Sequence, residues 1–182
     1  MDKIRPTITS VLDGQTVSNE LLAQIPDLDS EKVMDRILDI LKEIYNSKMP
    51  FNRYLGINVS DLTLERAIIS ISTREELQGN YMQKILHGGV ISSVIDLSGG
   101  IIAQAHAMRQ MKGVPVGEMI MRFAKMSTLN IRVDYLRPGA GKDFRCVSKV
   151  IRAGNKVAVA QMELFSEKDE LISMGTGSYL IG

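Results

Sequence analysis

This sequence is poor in cysteine and histidine and carries almost no net charge. Its single cysteine, Cys146, rules out an internal disulfide and fits a reducing compartment. Only two histidines, His87 and His106, are present, which argues against a histidine metal cluster. With 22 Lys+Arg against 21 Asp+Glu, there is no global electrostatic case for nucleic acid as a partner. The N-terminus lacks the basic-then-apolar pattern of a secretory signal. No apolar run is both long and clean enough to span a bilayer. Residues 90–108 come closest, but Asp96, two pairs of small polar or glycine residues and Gln104 interrupt them. A Gly-x-Ser-x-Gly elbow, a Walker loop and a dinucleotide fingerprint are all missing. No repeat or low-complexity segment occurs. A chain of 182 residues with this composition is expected to be a cytoplasmic protein with one sizeable core and no metal or other cofactor.

The order of elements follows from periodicity. Residues 1–28 read as a loosely packed arm with one short helix around 19–24. A helix follows over about 31–46, because Val33, Ile37, Ile40, Leu41 and Ile44 share one face and Met49-Pro50 ends it. From Phe51 the texture changes to strands. A short one is expected at 57–61 and a stronger one at 64–73, where Ala67, Ile69 and Ile71 alternate with Ile68, Ser70 and Ser72. Residues 75–84 read as an irregular loop and 109–126 as a long connection. The remainder is an antiparallel meander over 128–136, 143–152, 156–165 and 171–181, with a hairpin signal at Ala153-Gly154-Asn155.

The segment between the loop and the connection carries the chemistry. From Val90 to Met108 it has no Lys, Arg or Glu, so a helix here is buried on nearly all sides. At about 100° per residue, Val90, Val94, Leu97, Ile101, Ala105 and Met108 cluster on one side. Opposite them Asp96 lies in a stripe of small residues with Ser92, Gly100, Ala103 and Ala107. A carboxylate in such a helix is costly unless it is paired or used. It is either a hydrogen-bonded structural residue or a group poised for chemistry.

Two glycines, Gly88 and Gly89, open the helix. They leave backbone N–H groups uncovered at a helix N-terminus, where developing negative charge is favoured. Asp96 lies about 10 Å further along the axis, too far to act on the same atom within one subunit. His87, just ahead of the glycines, is a base, a positioning group or a turn residue. Cys146 lies among apolar neighbours in a strand and reads as a packed thiol. One long apolar helix beside several antiparallel strands points to the α+β class, a sheet wrapped around the helix. Such a sheet covers only part of the helix, and a second copy is the economical cover for the rest.

His87-Gly88-Gly89, six residues, then Asp96, followed by Thr128-Leu-Asn-Ile-Arg-Val-Asp-Tyr-Leu-Arg137-Pro138, resembles the hotdog-fold acyl-CoA thioesterases. The resemblance is to the phenylacetyl-CoA thioesterase-like branch and covers about residues 51–182, leaving residues 1–50 as an N-terminal arm and helix. It implies a hotdog fold, a curved antiparallel sheet around a long central helix, here with an extra N-terminal helix. It implies homodimers or dimers of dimers with sites at the interface, acyl-CoA as partner, and no cofactor.

By that resemblance Asp96 is general base or nucleophile, the Gly89 N–H polarises the thioester oxygen, Gly88 shapes the turn and His87 positions the thioester. Thr128, from the other subunit, would stand near the attacking water, with Ser127 beside it. The branch's asparagine is displaced by one residue here, so Asn80 or Gln83 fills its place. Arg137, Arg152 and Lys156 are candidates for the CoA phosphates. The methionines either fill the core or line an adaptable apolar pocket, and the second reading leans to medium- or long-chain fatty acyl groups. A hydratase or dehydratase on acyl thioesters, and a non-catalytic acyl-CoA-binding protein, are the alternatives.

Overall fold

The computed structural model describes residues 31–111, 114 and 116–182. The short helix expected near 19–24 lies outside them. Helix α1 (Glu31–Glu43) buries Met34, Ile37, Leu38 and Leu41 on one face. Its end differs from expectation. A π-helical turn, Ile44–Lys48, continues it, with the Met49 N–H donating to the Ile44 carbonyl at 3.3 Å. Pro50 then starts a helix where the sequence suggested strands. Helix α2 (Pro50–Leu55) carries proline in its first turn, where the missing N–H costs nothing, and ends at Gly56 with φ 75°.

Strands β1 (Asn58–Leu62) and β2 (Ala67–Ser72) follow. Ala67, Ile69 and Ile71 are buried, as their alternation requires, but residues 63–66 form a turn closed by Thr63 N–H to Arg66 O at 2.8 Å. The expected loop at 75–84 contains a small hairpin, β3 (Gln78–Asn80) with β4 (Ile85–Leu86). The central helix α3 runs Gly88–Ala107 and tightens into a 3-10 turn at Met108–Met111. The expected connection at 109–126 holds a further helix, α4 (Val116–Lys125), with Met119 buried. Gly113, Pro115 and Gly117 hid it in the sequence, because glycine and proline read as punctuation of a loop.

Strands β5 (Ser127–Tyr135), β6 (Asp143–Ala153), β7 (Val157–Ser166) and β8 (Leu171–Leu180) match the expected meander. The main sheet is antiparallel with six strands in the order β1-β2-β6-β7-β8-β5. Helix α3 packs against β2, β5, β6, β7 and β8. This is the sheet-around-helix arrangement of the hotdog fold. Through Met111 the helical run is long and apolar enough to cross a membrane, and its place against the sheet accounts for that apolarity. Ile95, Ile101 and Ile102 on α3 meet Ile69, Cys146, Ala160 and Leu164 of the sheet in one core. Each fully buried isoleucine contributes about 1.5–3 kcal/mol.

Two consequences position the site. Along α3, Ser92, Ser93, Asp96, Leu97, Gly100 and Gln104 stay partly exposed while Val94, Ile95, Ile101, Ile102 and Ala105 are buried, so one side escapes the sheet. Strand β5 lies at the sheet edge, and residues 127–130 are exposed.

Candidate active site

Strand β5 pairs with β8 through a register shift between Thr128 and Asn130, which leaves Leu129 as the extra residue of a bulge. Bulges re-aim side chains and cluster beside active sites. Here the bulge lies where Thr128 turns toward α3. Its Oγ1 donates to Asp96 Oδ1 at 3.0 Å. This corrects the expectation that Thr128 comes from another subunit: it meets Asp96 within one chain. Asp96 is half-buried.

Tyr179, opposite Thr128 on β8, was missed by the sequence reading. Its hydroxyl donates to the Asp96 backbone carbonyl at 3.3 Å. Burial foremost, then the Asp96 carboxylate, pushes the Tyr179 phenol well above the ordinary tyrosine range. The signal for it lay in the small residues around it: Gly99 on α3 and Gly177 on β8 both leave room for its ring.

Beyond Thr128 lies a cavity of about 150 Å³ whose wall includes Tyr45, Met49, Gly100, Ala103, Gln104 and Met126. Ser127 and Thr128 also line it. Of the small-residue stripe, Gly100 and Ala103 border this space. Tyr45 and Met49, from the segment joining α1 to α2, form a wall that the sequence reading did not assign. Tyr45 OH donates to Gln104 Oε1 at 3.1 Å.

The other candidate residues gather at the start of α3. His87 is the N-cap, and its Nδ1 accepts from the Gly89 N–H at 2.9 Å. The donor expected to face a substrate is thus held by the imidazole. Tyr135, at the end of β5, donates to the Gly88 carbonyl at 3.0 Å and contacts Ser92 Oγ, fixing this turn. The His87 N–H donates to the Leu77 carbonyl at 2.8 Å, which ties the small β3-β4 hairpin to the helix start.

Asn80 is used within that hairpin. Its Oδ1 accepts from the Met82 and Gln83 N–H groups, both at 3.1 Å, while Gln83 is exposed. Arg137 lies apart, its Nη1 donating to the Leu171 carbonyl at 2.8 Å. Cys146 is fully buried, and burial pushes its thiol up to about 12. His106 lies against the Leu64 carbonyl at 3.3 Å. Among the described residues no His, Cys, Asp or Glu cluster suits a metal.

The site thus has two parts on one helix. A hydroxyl-supported carboxylate stands beside a cavity that its partner Thr128 lines, and a glycine-rich helix N-terminus lies seven residues before it. The first can activate water; the second can stabilise an oxyanion.

Residues 83–173 match the thioesterase superfamily. The medium/long-chain acyl-CoA thioesterase YigI of Escherichia coli K12 is 37% identical over 148 residues, covering 81% of this chain and 96% of that protein. A Shewanella oneidensis crystal structure related to the thioesterase superfamily superposes with TM-score 0.81 at 37% identity, covering 84% of this chain and 100% of that chain. Zebrafish thioesterase superfamily member 2 shares the fold, with TM-score 0.61 at 20% identity over 80% of this chain and 98% of that chain. The chain belongs to the thioesterase superfamily.

Proposed function

We propose that this protein hydrolyses medium- or long-chain fatty acyl-CoA to the free acid and CoA. The observation that carries this reading is the Thr128–Asp96 hydrogen bond at 3.0 Å, beside a cavity that Thr128 itself lines together with Met49, Gly100, Ala103 and Met126. An acyl chain fills the cavity, and the thioester carbon stops at the carboxylate. Thr128 holds a water against Asp96, which takes its proton as the oxygen attacks. The carbonyl oxygen gains charge, the tetrahedral intermediate collapses with cleavage of the C–S bond, and CoA leaves as the thiol with the proton that Asp96 took from water. The E. coli relative, named for medium/long-chain acyl-CoA, supports the substrate class.

Gly89 lies about 10 Å along α3 from Asp96, so its N–H serves a carbonyl in front of another chain's Asp96. We therefore infer a homodimer, or a dimer of dimers, joined where β5 is exposed. His87 yields the Gly89 N–H to the thioester oxygen when substrate binds. Residues 51–182 carry the chemistry, and Tyr45 and Met49 ahead of them add a wall to the pocket. A lone buried thiol suits a reducing compartment, and the cytoplasm is the proposed location.

Two inactive variants test both claims. Asp96→Asn should lower kcat by about 10²–10⁴-fold, the usual worth of a general base. Gly89→Pro removes the N–H at a helix position that tolerates proline and should also be inactive. Mixing the two after subunit exchange should restore activity through mixed dimers with one intact site. Full activity in Asp96→Asn would sink the catalytic assignment, and no recovery on mixing would sink the composite site. Single-turnover hydrolysis in ¹⁸O-water separates base from nucleophile: the label enters Asp96 only along the nucleophilic route.

A further inference from the structure

The wall formed by Tyr45 comes from a stretch of chain well ahead of the residues that carry the rest of the site. The superfamily match begins at residue 83, whereas Tyr45 comes from the segment between α1 and α2. Several bonds fix that segment. Asn46 Oδ1 accepts from the Val59 N–H at 2.7 Å, and Asn52 Nδ2 donates to the Tyr45 carbonyl at 3.0 Å. The π-helical geometry of Ile44–Lys48 is itself of a kind that recurs at functional sites. Tyr45 is 4% exposed, so its ring is packed in place.

The position of this wall along α3 sets a length. Gln104, which accepts from Tyr45 OH, stands eight residues beyond Asp96, about 12 Å along the axis. A chain of carbon–carbon bonds near 1.5 Å advances about 1.3 Å per carbon when extended. The wall therefore stands about nine or ten carbons from a carbonyl held at Asp96. The cavity's volume of about 150 Å³ takes a benzene-sized group, about six carbons. The carbons nearer the carbonyl lie ahead of it, beside Asp96. Gly100, Ala103, Met49 and Met126 offer contact to methylenes, and among the cavity's described lining residues there is no carboxylate and no cation.

We propose that Tyr45 and Gln104 form the end wall of the acyl pocket and set the longest chain the enzyme accepts without rearrangement. This rests on the acyl-CoA reading above. The wall is polar at its hydrogen bond and apolar on its ring, so a methyl terminus stops against the ring. A longer chain must displace the Tyr45–Gln104 pair.

A saturated acyl-CoA series from eight to sixteen carbons, assayed as kcat/KM, tests this. Wild type should rise to about ten carbons and then level or fall. Tyr45→Ala and Gln104→Ala should each move the optimum to longer chains. The ratio of sixteen- to eight-carbon activity should increase about tenfold, as expected for one or more methylenes gained in an apolar pocket. Gly100→Ala should move it the other way, since its Cβ would lie 3.6 Å from the Tyr45 hydroxyl and narrow the pocket. If Tyr45→Ala fails to fold, the half-buried Gln104 and Gly100 variants decide. Profiles that superimpose on wild type overturn the inference while leaving the hydrolase reading intact. A wild-type protein that hydrolyses no acyl-CoA in the series overturns both.

Discussion

A methyl group on Gly99 would overlap the hydroxyl of Tyr179, with the ring carbon Cζ only 2.5 Å away. One turn surface over, a methyl on Gly100 would sit 3.8 Å from the same ring, in ordinary contact. Adjacent glycines on α3 therefore have different reasons to be glycine. Gly99 admits the ring whose hydroxyl holds the Asp96 backbone carbonyl. Gly100 borders the cavity.

Alanine substitution should separate them. Gly99→Ala overpacks the contact and should cost about 1–3 kcal/mol, with loss of hydrolysis as Tyr179 is driven from Asp96. Gly100→Ala should be neutral or stabilising, because alanine is favoured over glycine in a helix interior by about 1 kcal/mol. Urea midpoints of the two proteins against wild type measure this. Equal destabilisation by both would contradict the assignment.

The contrast also explains what the sequence made legible. Helical spacing identified Asp96 and its small-residue stripe, because period and residue size are local properties. It could not reveal that Thr128 meets Asp96 within one chain. That contact depends on a bulge at Leu129 and on β5 pairing with β8, neither of which has a local signature. Tyr45 was invisible as a pocket residue for a similar reason. It is 59 residues from its partner Gln104, and a tyrosine on a helix end reads as ordinary packing. Helix α2 was missed because Met49-Pro50 was read as a stop, whereas the same proline starts the next helix.

His87 poses a competition between stability and chemistry. Its Nδ1 occupies the Gly89 N–H in the free protein. Removing an N-cap acceptor costs about 1 kcal/mol, and in a chain of this size that lowers Tm by about 2–4 °C. His87→Ala should show that loss together with a raised KM for acyl-CoA. His87→Asn offers another short acceptor at the cap and should recover most of the stability but not the KM. Recovery of both by asparagine would leave the imidazole with a capping role alone. Thermal melts and steady-state kinetics on the three proteins decide.

Three buried acids near the site predict an alkaline weakness. Burial raises Cys146 from an ordinary 9.0 to about 12. Tyr45 and Tyr179, ordinarily 10.0, are pushed higher still by burial and by the Asp96 charge. Below pH 9 the three groups keep their protons in both folded and unfolded chains, so they impose no pH dependence. Above that, the unfolded thiol ionises while the folded one does not, and the phenols follow from pH 10. The unfolded state then binds fewer protons, and stability falls as pH rises, by about 1.4 kcal/mol per pH unit for each group. Urea unfolding from pH 8 to 11 should show the midpoint steady to about pH 9 and falling steeply beyond 10. Cys146→Ala should flatten the fall between pH 9 and 10, and Tyr45→Phe the fall between 10 and 11. A wild-type midpoint constant across the range would contradict the burial of these groups in the folded state. An unchanged slope in Cys146→Ala would contradict the burial of the thiol alone.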